Sequence, residues 1–208
     1  MDITDPAVNR YLQELLPARD PVLEEMEALA RERRIPIIGP VLGRILHQLV
    51  RLTGAKRVFE MGSAIGYSTI WIARAVRPGA IVYYTDSDPA NAEQAKQFFR
   101  RAGVQDKIRI LQGNALELLD QTPGIFDIIF NDIDKQDYPQ VFHKAVPRIR
   151  SGGLFLADNV LWSGRVTEPP GDDATRGIAE FNRLIYSSPD LFATILPVRD
   201  GFAVCEKR

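Results

Sequence analysis

Two short stretches hold the residues whose types and spacing point to chemistry. One is F-N-D-I-D-K-Q-D-Y, Phe130 to Tyr138, and the other is A-D-N-V-L-W-S-G, Ala157 to Gly164. Asp132, Asp158 and Asn159 offer three hard oxygen donors, a set that suits octahedral Mg²⁺ (or Mn²⁺ or Ca²⁺) completed by water and a substrate. Neither His47 nor His143 lies in these stretches, and Cys205 is the only cysteine, so the set does not suit zinc. The plainer reading makes Asp132 and Asp158 helix caps or loop acids. Lys135 follows Asp132 by three residues and, beside a divalent cation, is placed to act as a general base on a metal-bound hydroxyl. Its plainer reading is a solvated lysine paired with Asp134 or Asp137.

These residues matter together only if the chain delivers them to one edge, and the pattern from Lys56 onward does so. Apolar runs at 57–61, 80–85, 108–112, 126–131 and 153–157 read as strands. Segments 67–76, 89–102, 138–149 and 174–187 read as helices, with a short one near 115–119. This alternation implies parallel strands, right-handed crossovers and helices on both faces. Ala193–Leu196 and Phe202–Cys205 are joined by too few residues for a crossover helix, so they predict an antiparallel hairpin. The expected fold is α/β: a Rossmann-like, doubly wound, mostly parallel seven-stranded sheet closed by that hairpin. Residues 1–53 read as helices covering one sheet face or forming a lid, with Asp20-Pro21 as N-cap and first-turn proline. We expect one domain over 1–208, with its core in 54–208.

In such a sheet, ligands sit beyond the carboxyl ends of the strands. The first strand ends in R-V-F-E-M-G-S-A-I-G-Y-S, Arg57 to Ser68, where a glycine turn leads into a helix N-terminus. A dinucleotide site would want a third glycine and room for a pyrophosphate. Here only Gly62 and Gly66 are present, with Glu60 at the turn. A carboxylate repels a pyrophosphate and suits an ammonium or sulfonium, which points to S-adenosylmethionine. The chain also lacks a Y-x-x-x-K pair, against a nicotinamide dehydrogenase. Asp86 ends the second strand, where it can take the hydroxyls of a ribose; Asp88, before Pro89, is the better helix cap. Gly113-Asn114-Ala115 reads equally as an adenine-binding loop and as an ordinary turn.

With these motifs in place, the chain resembles the cation-dependent, catechol- and caffeoyl-CoA-type O-methyltransferases that use S-adenosylmethionine. The likeness runs from about Pro36 to Lys207, through F-E-M-G-S-A-I-G-Y-S, D-x-D-K-x-x-Y, A-D-N-V-L-W-S-G and L-P-V-R-D-G-F. It implies that Glu60, Gly62, Tyr67 and Ser68 line the methionine part of the cofactor. It implies Asp86 at the ribose, Gly113, Asn114 and Ala115 at the adenine, and Asp134 beside the cofactor. Ser63, Gly66 and Ser87 complete the expected cofactor set. Asp132, Asp158 and Asn159 match the metal ligands, Lys135 matches the catalytic base, and Trp162 with Ser163–Arg165 matches a wall of the acceptor pocket. Three places depart from the family pattern: Asn131 and Ile133 flank Asp132, Asn114 stands where an acid is usual, and Ser63-Ala64-Ile65 fills the glycine loop.

The expected activity is metal-assisted methyl transfer to a phenolic small molecule with vicinal hydroxyls. Its rivals are a methyltransferase of the same fold with another acceptor and a cofactor-binding protein without catalysis. The formal net charge of −1 gives no electrostatic case for nucleic acid or an anionic membrane. No apolar run approaches the ~20 residues of a membrane span, and the first residues lack a signal-peptide pattern. A cytoplasmic protein is expected, and the family resemblance implies a homodimer.

Overall fold

The computed structural model describes residues 3–208. Three helices come first: α1 (Pro6–Glu14), α2 (Pro21–Arg33) and α3 (Gly39–Thr53). Asp20 caps α2 by accepting from the N–H groups of Val22 and Leu23, and Gly54 ends α3 in a left-handed conformation. The alternating part follows in the order β1 (Arg57–Met61), α4 (Tyr67–Ala75), β2 (Ile81–Asp86), α5 (Pro89–Arg101) and β3 (Ile108–Gln112). It continues through α6 (Ala115–Gln121), β4 (Phe126–Asn131), α7 (Tyr138–Ala145), β5 (Ile149–Asp158) and α8 (Asp173–Ser187). The chain closes with β6 (Leu191–Leu196) and β7 (Phe202–Lys207).

The seven strands form one sheet in the order β3-β2-β1-β4-β5-β7-β6. The first five are parallel, while β7 runs antiparallel to β5 and β6 antiparallel to β7, as expected from the sequence. Strand periodicity sends alternate residues to opposite faces. Val58, Ile128 and Phe130 pack with α2, α3, α4 and α5, whereas Phe59, Ile129 and Phe155 pack with α6, α7 and α8. Leu23, Met26, Leu42, Leu46 and Val50 of α2 and α3 are buried in the first core, while α1 has no buried residue.

Two elements differ most from their expected lengths. Helix α7 stops at Ala145 and tightens into a 3-10 turn over Val146–Arg148, because Pro147 has no N–H to continue the helix. Strand β5 starts at Ile149 rather than at residue 153, since Ile149 pairs with Phe126 ahead of a register shift. Gly153 permits that irregularity: a Cβ there would lie 2.7 Å from the carbonyl oxygen of Asp127.

The chain winds outward from β1 through β2 to β3, then crosses back to β4 on the other side of β1. The carboxyl ends of β1 and β4 therefore flank the switch point, where a crevice opens between diverging connections.

Candidate active site

A cavity of about 750 Å³ fills that crevice. Of the cofactor residues expected from the sequence, Gly62, Ser63, Tyr67, Ser68, Asp86, Ser87, Gly113, Asn114, Ala115, Asp132 and Asp134 line it. So do Lys135, Asp158, Asn159 and Trp162. Glu60 and Gly66 do not reach its wall.

The glycine loop shows why. Gly66 adopts φ +84° at the cap of α4, and a Cβ there would meet the Phe99 ring at 2.5 Å, so close packing against α5 requires glycine. Gly62, at φ +80°, has the Asp132 carbonyl oxygen 2.5 Å from where a Cβ would stand. The Asp132 N–H donates to the Met61 carbonyl at 2.8 Å, so the β1 and β4 loops are fastened together beneath the cavity.

Glu60 points back under the turn and is fully buried. The Thr69 hydroxyl donates to its Oε2, while Oε1 has no partner. Burial raises its carboxyl to about 7, against the opposing pull of the Ser68, Thr69 and Ser63 hydroxyls.

Asp86 does reach the cavity, but its carboxylate also braces the loops around it. Its Oδ2 accepts from the Ala64 N–H at 2.9 Å, and its Oδ1 accepts from the Asp88 N–H at 2.9 Å and the Asn91 amide at 3.1 Å. Asp88 caps α5 by accepting from the Ala90 N–H at 2.8 Å, as its place before Pro89 indicates. Asn114 caps α6, its Oδ1 accepting from the Leu116 N–H at 2.9 Å and the Glu117 N–H at 3.3 Å. The turn-forming role of Gly113-Asn114-Ala115 is thus realised on the cavity wall itself.

At the other end of the cavity, Lys135 spends all three ammonium hydrogens. Its Nζ donates to Asp132 Oδ1 at 2.8 Å, the Ile133 carbonyl at 3.0 Å and the Tyr138 hydroxyl at 3.0 Å. The Tyr138 hydroxyl in turn donates to the Asp158 carbonyl at 2.9 Å, joining the β4 and β5 loops. Helix α8 presses on this loop at Gly177, where a Cβ would collide with the Lys135 carbonyl oxygen. Lys135 is therefore not the solvated lysine of the plainer reading.

Asp158 is buried, with Oδ2 accepting from Arg199 Nη1 at 2.9 Å and Oδ1 without a partner. Burial raises its carboxyl above the ordinary range, with the Arg199 guanidinium pulling the other way. Asp132 is raised too, by desolvation, with Lys135 lowering it and Asp158 raising it further. About a quarter of the Asp132 side-chain surface (24%) remains open to water, so screening holds its shift below what complete burial would impose. Asn159 follows with φ +58°.

Several contributors went unassigned in the sequence reading. Thr85 accepts from the Gly62 N–H at 3.4 Å and donates to the Glu60 carbonyl at 2.7 Å. Ile35, Pro36, Ile37 and Ile38, between α2 and α3, wall the cavity from the N-terminal side. Arg199 stands in the L-P-V-R-D-G-F motif. Its proximity follows from the register of the assembled sheet, where Phe202 pairs with Asp158 and sets the hairpin turn at the end of β5.

Residues 18–208 match the family described as O-methyltransferase. The chain belongs to the O-methyltransferase family. Among its relatives, the catechol O-methyltransferase of Niastella koreensis is 34% identical over 197 residues, spanning 91% of this chain and 89% of the relative. Caffeoyl-CoA O-methyltransferase 1 of Eucalyptus globulus is 32% identical over 177 residues, 79% of this chain and 72% of the relative. The crystal structure of the O-methyltransferase from Bacillus cereus, in complex with SAH, superposes with a TM-score of 0.89 and 32% identity, covering 97% of each chain. The enzyme class expected from the sequence, an S-adenosylmethionine-dependent O-methyltransferase of the catechol and caffeoyl-CoA type, is the class of this O-methyltransferase. No helix among its described residues is long and apolar enough to cross a membrane.

Proposed function

We propose that this O-methyltransferase moves the methyl group of S-adenosylmethionine to a phenolic oxygen of an acceptor with vicinal hydroxyls, at a divalent cation held by Asp132, Asp158 and Asn159. The observation that carries the reading is the carboxylate pair of part-exposed Asp132 and buried Asp158: the Asp158 charge raises the Asp132 carboxyl, and Asp158 Oδ1 is unpartnered. Among the described residues no three His, Cys, Asp or Glu side chains gather as a metal site, so the set rests on two carboxylates and the Asn159 amide. That is an all-oxygen donor set, as Mg²⁺ or Mn²⁺ requires.

The cofactor is read along the wall from Gly62–Ser63 and Tyr67–Ser68, through Asp86–Ser87, to Gly113–Ala115, with Asp134 beside it. Glu60 acts from beneath, as a buried carboxyl held by the Thr69 hydroxyl rather than as a wall residue. A divalent cation supplies Lewis acidity there, favouring the ionised form of a bound hydroxyl. With Asp132 committed to a cation, Lys135 retains the Ile133 carbonyl and the Tyr138 hydroxyl as acceptors. Two acceptors match the two N–H groups of a neutral amine, which leaves its lone pair to take the acceptor's proton. Tyr138 fixes where that lone pair points. The methyl–sulfur bond breaks as the oxygen–methyl bond forms, and positioning in this cavity carries much of the rate. Ile35–Ile38 and Trp162 form the walls against which a flat phenolic ring would lie.

Transfer of labelled methyl from S-adenosylmethionine to a catechol, with and without chelator, tests this reading. Chelator, Asp158→Ala and Lys135→Ala should each abolish most turnover. Activity that survives both chelator and Lys135→Ala overturns the mechanism, and activity retained by Asp158→Ala alone would make the enzyme metal-independent.

A further inference from the structure

Arg199 sits at the tip of the β6–β7 hairpin, with φ +54°. Its Nη1 donates to Asp158 Oδ2 at 2.9 Å and its Nη2 to the Ile37 carbonyl at 3.2 Å. One guanidinium thus bridges a proposed metal ligand and the wall between α2 and α3. Lys135 does the equivalent at Asp132, so each carboxylate already carries a cationic side chain. The two roles differ. Lys135 is the proposed base and can give up a proton, whereas a guanidinium keeps its charge throughout. A divalent cation bound through Asp158 Oδ1 would therefore face a permanent positive charge across the same carboxylate.

We propose that Arg199 sets the strength of the divalent-cation site, holding Asp158 in place while opposing the cation it ligates, so that the metal is bound more weakly than the oxygen donors alone would bind it. The inference rests on the metal reading given above. The Arg199 side chain is 33% exposed while that of Asp158 is 2% exposed, so the opposing charge is well screened without being abolished. A unit charge one ligand away from a dication, screened nearly as in water, weakens binding by roughly tenfold.

Direct Mn²⁺ binding to the full chain, followed by electron paramagnetic resonance of the free ion and by calorimetry without cofactor or acceptor, reads this out. Arg199→Gln should tighten Mn²⁺ binding by roughly tenfold. Arg199→Lys, which keeps the charge, should stay close to the unsubstituted protein. Thermal melts show whether either variant remains folded, and the lysine variant carries the test if the glutamine variant does not. Unchanged or weaker binding by Arg199→Gln, or tightening by Arg199→Lys, overturns the role of Arg199 and leaves the metal reading standing. If the unsubstituted protein and both variants bind no Mn²⁺, the metal reading falls, and this inference with it.

Discussion

Replacing Glu60 by glutamine should change how stability depends on pH, and the buried site supplies the magnitude. In the folded chain this carboxyl is raised to about 7 by burial, against an ordinary value of 4.5. The folded state therefore keeps a proton that the unfolded chain releases between these values. Where the folded state binds more protons, stability falls as pH rises. The contribution is fully present below about pH 4.5, declines through the window and is gone above about 7. A gap of about 2.5 pH units at about 1.4 kcal/mol per unit makes the decline about 3 kcal/mol. Glutamine cannot ionise, and its carbonyl can still accept from Thr69. Urea denaturation of both proteins at intervals from pH 4.5 to 8 measures the difference. Groups that do not act on Glu60, such as His47, titrate in both proteins and cancel, while the Asp132 charge is part of what raises Glu60. The expected result is a stability difference that shifts by about 3 kcal/mol toward the variant as pH rises. Parallel pH curves would show that Glu60 ionises freely in the fold and refute the reasoning.

Gly177→Ala should drive the Lys135 loop away from α8, lowering turnover at least tenfold and stability by about 1–3 kcal/mol, read by initial rates and thermal melts. Tyr138→Phe removes the hydroxyl between Lys135 and the Asp158 carbonyl. It should reduce kcat far more than KM and cost about 1–2 kcal/mol in denaturation. Tyr67→Phe deletes the hydroxyl that donates to buried Glu27 at 2.8 Å, leaving Arg19 as the partner of that carboxylate. About 1 kcal/mol of stability should be lost, measured by urea denaturation.

The elements themselves were readable because their determinants are local. Asp20-Pro21 and Asp88-Pro89 announce helix starts through a cap and a preset φ, and both helices begin at the proline. Alternating strand and helix runs imply a parallel sheet, and a parallel sheet gathers strand ends at one edge. That geometry alone brings Asp86, Asn114, Asp132 and Asp158 to one cavity, so their gathering is legible in the sequence. Pro147 is equally local, yet the expected helix runs on to 149, past the missing N–H that stops α7 at Ala145.

What only the tertiary structure decided concerns faces and partners distant in sequence. One-residue alternation in β1 turns Glu60 inward beneath α4, so the acid that suggested a cationic ligand became a buried carboxyl under the wall. Gly66 reads like a ligand-binding glycine, yet the ring that demands it belongs to Phe99, on another helix. Arg199 and Asp158 lie 41 residues apart and meet because antiparallel pairing sets Phe202 opposite Asp158. Periodicity and capping act over a few residues, so sequence carries them openly. Register and close packing depend on which faces are buried against which, and only the assembled sheet settles that.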